Sequence, residues 1–138
     1  MTASATAAFT SVPHAGGATT PATADTSTTA PTNASTVWTA PSAGGRLEIV
    51  RIIQILTTGS PGVLNFFLHD GSAYNLVGFM GYTAATVSST VGQAPVDFWL
   101  PFPVLPSGWS FRVTNTVASG TGSTGATHRL LGMGADFT

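Results

Sequence analysis

After Ser35 the chain alternates short, β-branched apolar runs with clusters of Gly, Pro, Asn and Ser, and no stretch has the length and periodicity of a helix. That texture restricts the fold to an all-β sandwich or barrel of about eight strands. Residues 36–39 open the series and 46–58, RLEIVRIIQILTT, make the longest strand. Pro61-Gly62 turns the chain into 63–69. Asp70-Gly71, a pair that tolerates positive φ, turns it again into 73–80. Residues 83–88 form a weaker strand. Val96, Phe98, Leu100, Phe102 and Val104 share one face while Pro101 and Pro103 fall on the other, so this strand is an edge or stops near Pro101. Beyond Pro106-Ser107-Gly108, Trp109, Phe111 and Val113 alternate with polar residues, and a last strand covers 127–137. Two antiparallel sheets packed as a jelly-roll-like β-sandwich accommodate this pattern.

The longest strand breaks simple alternation. Leu47, Ile49, Ile53 and Ile55 fall in one phase, Val50, Ile52 and Leu56 in the other. Either a bulge shifts the phase midway or both faces are covered. Phe67 raises the same choice, being out of phase with Leu64, Phe66 and Leu68.

Residues 1–34 differ in character: mostly Thr, Ala, Ser, Gly and Pro, with one charge (Asp25) and one aromatic (Phe9). Too little apolar area is present to offset the entropy of ordering it alone. The division that follows is an extended N-terminal arm, 1–34, docked on a neighbouring subunit, and a sandwich domain, 35–138. On that division, deleting the arm leaves the domain folded.

Charged residues are only 7% of the chain, lysine is absent, and the formal charge is −1. So weak a field cannot hold a phosphate backbone, which argues against nucleic acid as a partner. It also gives little protection against self-association, so the chain is expected to live in an assembly. There is no cysteine for disulfide, thiolate or zinc chemistry. No apolar stretch is long enough to span a membrane as a helix, and no secretory signal is visible at the start.

Nothing nominates a catalytic group, and neither enzyme activity nor a metal or cofactor is expected. His69-Asp70 lacks further ligands, and Asp70 already serves a turn. His14, His69 and His128 have no local ligand spacing. Gly120 to Gly125 satisfies G-x-G-x-x-G but reads as a loop between strands, without the helix that dinucleotide binding requires. There is no G-x-S-x-G, and the carboxylates Glu48, Asp70, Asp97 and Asp136 are scattered. The aromatics offer more. Trp99 opposes the phase of Phe98 and Leu100, which makes it an interface anchor. Phe9, Trp38 and Phe67 join it as candidate interface residues, and a surface platform for sugars is the alternative use of such rings.

Four segments, GGRLEIVRI, FFLHDGSAYNL, LPFPVLPSGWSFRV and GMGADF, resemble in order and spacing the small virion structural proteins of tailed bacteriophages. The likeness covers roughly two thirds of the chain. One departure is that LVGFMGYTAAT is neutral where such proteins usually carry charge. The resemblance implies a head decoration (cement) protein, made in the host cytoplasm and placed on the capsid surface. Its partners would be the major capsid protein and itself, as a homotrimer. A tail- or fibre-associated adhesin that binds a host receptor or glycan is the alternative.

Overall fold

The computed structural model describes residues 10–88, 90, 92–101, 103–119 and 127–137. Among these, nine strands and no helix are found: β1 Thr10–Thr19, β2 Ser35–Thr39, β3 Gly45–Gln54, β4 Gly62–His69, β5 Tyr74–Tyr82, β6 Val96–Trp99, β7 Val104–Leu105, β8 Ser110–Asn115 and β9 His128–Phe137. One sheet runs β1-β9-β3-β6, with β7 also on β3; the other runs β2-β8-β4-β5. Every pairing is antiparallel. Strands from early and late in the chain thus interleave in both sheets, which is jelly-roll connectivity.

The broken alternation in β3 is a bulge. The β3–β9 register slips between Leu47 and Ile49, leaving Glu48 as the extra residue. Leu47, Val50 and Ile52 consequently share the core face, where they meet Leu64, Phe66, Leu68, Phe111, Val113 and Leu130. The proline-bearing strand is an edge, as expected: β6 pairs only with β3 and ends before Pro101. Residues 83–88 do not form a strand; they contribute a single bridge, Thr58 to Ala85. The Asp70-Gly71 turn holds, with Gly71 at φ 103° and the Asp70 carboxylate accepting the Ala73 and Ser72 amides. The loop at 120–125 and Phe102 lie outside the described residues.

Residues 10–34 are built into the sandwich. β1 pairs with the chain's own β9 from Thr10–Phe137 to Thr19–Arg129, and His14 Nδ1 meets Asp136 Oδ1 at 2.6 Å across that pair. The edge expected from a neighbouring subunit is therefore supplied within the chain. Low apolar content misled here because β1 is held by a backbone ladder, which bland side chains do not weaken. The connection to β2 is organised by Asp25, whose carboxylate accepts the amides of Ser27, Thr32 and Asn33 at 2.7–2.9 Å. Its own amide donates to Asn115 O. Removing residues 1–34 would therefore strip a strand from one sheet and would not leave an intact domain.

The two sheets meet most closely at Trp38. A bulge between Thr36 and Trp38 turns both Val37 and Trp38 inward, and the indole is 1% exposed. It lies over three glycines of the facing sheet. A Cβ on Gly45 would sit 2.7 Å from Trp38 Cη2, and one on Gly132 would sit 3.1 Å from Trp38 Cβ. A Cβ on Gly16 would collide with the Val37 carbonyl oxygen. The His14 ring packs at 4.9 Å from the indole. Trp38 is thus a core residue and does not reach a partner, contrary to its sequence assignment.

Two outcomes follow from this packing. Gly16→Val should lower stability by about 1–3 kcal/mol in urea unfolding, because neither β1 nor the Val37 carbonyl can retreat without losing pairing. Asp25→Asn should cost about 2 kcal/mol at neutral pH, the worth of hydrogen bonds to a charged acceptor. Burial by itself would raise the Asp25 carboxyl, but the amides of Asn33, Ser27 and Thr32 outweigh it and hold it below the ordinary value. A folded value below the unfolded one gives stability above the unfolded pKa that is lost as pH falls through the folded one. The variant should therefore flatten the acid limb of the stability–pH curve below about pH 4.

Candidate functional site

The four candidate interface residues part company in the structure. Phe9 lies outside the described residues. Trp38 is core, as above. Phe67 is on the outer side of its sheet yet 0% exposed. It lies opposite Arg112 on β8 and Leu76 on β5, with the Tyr74 ring edge-on at 5.7 Å. Arg112 Nη1 donates to the Tyr74 hydroxyl at 2.8 Å, and its guanidinium stands 5.4 Å from that ring. Phe67 is therefore covered by its own sheet and is no interface residue in this fold. Of the three that are described, only Trp99 is open, at 68% exposure.

Trp99 belongs to a transverse apolar row. It sits opposite Ile49 on β3, Ile49 sits opposite Met133 on β9, and Met133 sits opposite Ala15 on β1. Directly opposed residues of antiparallel strands share a face, so these four side chains line the outer surface of the β3 sheet. Val104 of β7 adds a further exposed apolar group, 58% accessible, opposite Arg46. Sequence phase identified Trp99. It missed Met133 and Ala15, because their place in the row depends on pairings far apart in the chain.

Next to the row the charges are matched in pairs, while Arg129, farther along β9 on the same face, has no ion-pair partner among the described residues. Arg51 grips Asp97 with two bonds, Nε to Oδ1 and Nη2 to Oδ2, each 2.8 Å, and Arg46 Nε lies 2.8 Å from Glu48 Oε1. The Arg51 hydrogen bonds hold the Asp97 carboxyl below the usual carboxylate range. Such exposed pairs add little stability, but a neutralised pair enters a contact at lower desolvation cost than a lone charge. A depression of about 270 Å³ beside the row is lined by Arg46, Glu48, Ile49, Met133, Gly134 and Ala135. Four strands of up to ten residues present a face of about 33 Å by about 15 Å, on the order of 500 Å². That is short of the ~800 Å² a partner gives to a standard specific interface. A contact built on this face needs flanking loops or several copies acting together.

A second feature is a cavity of about 450 Å³ at one end of the sandwich, walled by Ile52, Met80, Tyr82, Val96 and His128 among others. His128 is 2% exposed, its ring packs tilted against Tyr82 with centroids 4.6 Å apart, and its Nδ1 makes no hydrogen bond. The Tyr82 hydroxyl donates to Asn115 Oδ1 at 2.6 Å. Burial pushes the His128 imidazole down to about 4, so it is neutral at ordinary pH. The remaining histidines stand apart, His14 on β1 and His69 at the end of β4.

No protein-family model matches the chain, and no curated protein sequence matches it.

The His128 imidazole sets a pH dependence. Its folded value lies below the ordinary 6.5, so the unfolded chain takes up the proton first as pH falls. Stability should be flat above pH 6.5, decline toward pH 4 by up to about 3 kcal/mol, and then level for this group. Urea unfolding across that range checks it, with His128→Phe expected to remove the decline between those two values.

Proposed function

We propose that the chain is a non-enzymatic virion structural protein of the head-decoration kind, attached to a capsid surface through the outer face of the β3 sheet. The reading rests on one observation: an exposed apolar row anchored by Trp99, on a face whose neighbouring charges are paired. Such a face is suited to lasting contact with protein, since few charges must be stripped of water. The resemblance of four segments to small phage virion proteins points the same way and names the major capsid protein as the partner. Attachment would stabilise the shell by mass action: a ligand that binds only the assembled state contributes RT ln(1 + [L]/Kd). Because one face is small, occupancy would come from many copies on a repeating lattice, or from linked copies whose second contact is effectively intramolecular.

Trp99 is also the residue a glycan-binding tail adhesin would use, since an open indole stacks on a sugar ring. The two readings separate on what the purified chain binds. Added to undecorated heads of the virus that encodes it, the chain should co-sediment in hundreds of copies per particle. Trp99→Ala should weaken that binding by about 30-fold, the loss expected for truncating an aromatic anchor of about 2 kcal/mol. Its unfolding midpoint should not move, because the side chain is already in water. Binding to host polysaccharide with no binding to heads would overturn the decoration reading in favour of the adhesin.

A further inference from the structure

The two sheets end in four edges, and three of them are poor templates for another strand. β1 carries Pro13 and the pair Gly16-Gly17. β2 is only five residues long. β6 and β7 are four and two residues, with Pro101 and Pro103 between them. β5 is different. Its nine residues, YNLVGFMGY, include no proline and no charge, and β4 pairs with one side of it only. Proteins ordinarily blunt such an edge with charge, proline or shortness.

β5 also shows water two large apolar side chains, Phe79 at 71% and Leu76 at 43% exposure. Three residues apart in a regular strand, they would point to opposite faces. The register slip in the β4–β5 pair sets Val77 out of step, so Leu76 lies opposite Phe67 and Phe79 opposite Asn65. Both therefore stand on the outer face.

We propose that two copies of this chain join through β5, antiparallel about a two-fold axis, so that two four-stranded sheets become one sheet of eight. The spacing is self-complementary. With the axis between Val77 and Gly78, each Leu76 faces Phe79 of the second copy, and four apolar side chains meet on one surface. The eight-residue pair 74–81 supplies roughly eight backbone hydrogen bonds, comparable with the ~10 of a typical specific interface. A second copy is the occupant because an uncharged strand offers nothing by which a charged partner could be selected, while identical strands match in both directions. A chain of net charge −1 also repels its own copies little. This pairing does not depend on the shell-binding reading, since it uses the edge of the other sheet. It is two-fold, where the resemblance implies threefold assembly.

Sedimentation velocity on the full chain, from about 1 to about 100 µM, should show a dimer. Phe79→Lys should weaken it at least tenfold, with circular dichroism unchanged and with the same melting midpoint as the parent chain at concentrations where both are monomeric. The chain has no cysteine, so single cysteines report the register cleanly. A mixture of Leu76→Cys and Phe79→Cys chains should oxidise to a disulfide-joined pair that neither variant forms alone. A monomer throughout the range, a trimer, or a dimer that survives Phe79→Lys would overturn the proposal. So would a dimer that dissolves on Trp99→Lys, which would move self-association to the β3 face.

Discussion

The sandwich depends on an indole seated on glycine. Trp38 is the largest buried side chain, and it faces Gly16 of β1, Gly45 of β3 and Gly132 of β9. Interiors pack at crystal-like density, so a bulky ring between two sheets needs a matching absence of side chains opposite. Three strands supply that absence at one place. The arrangement ties β1 to the fold: without Gly16 and its neighbours overhead, Trp38 would lose part of its cover. It also explains how a strand as bland as TSVPHAGGAT belongs to the core architecture. Its contribution is room and backbone, and its side chains matter less.

Much of the fold was legible in the residues. β-branched runs mark real strands, the signals at Asp70-Gly71 and Pro106-Ser107-Gly108 mark real turns, and the prolines at 101 and 103 mark a real edge, whereas Gly62 of the Pro61-Gly62 signal is already paired in β4. The phase conflict in β3 was visible, and its cause is the bulge at Glu48. β1 was not legible, because a strand held by backbone pairing leaves little trace in hydrophobic pattern, and Gly-Gly reads as loop. The order around Asp25 was hidden for a related reason: a carboxylate gathering three amides is a matter of geometry, and nothing in its neighbours' identity announces it.

The candidate interface shows the same division. Trp99 could be found from local phase alone. Trp38 and Phe67 share its chemistry yet are buried, one by a bulge that turns it inward and the other by Tyr74 and Arg112 on its own sheet. Exposure of an aromatic depends on what the far strands place over it, and those pairings are not encoded near the aromatic. The row through Ile49, Met133 and Ala15 exists only once β1, β3 and β9 are side by side.

The four arginines have one further consequence. Arg46 and Arg51 lie in β3, Arg112 in β8 and Arg129 in β9, and the chain has no lysine. Proteases of trypsin specificity must draw a stretch of extended chain into their cleft, which a strand locked in a ladder cannot offer until it opens. Every basic cleavage point in this molecule is therefore guarded by the same hydrogen bonds that define the sheets. Survival in a digestive medium becomes a measure of how rarely the sheets come apart.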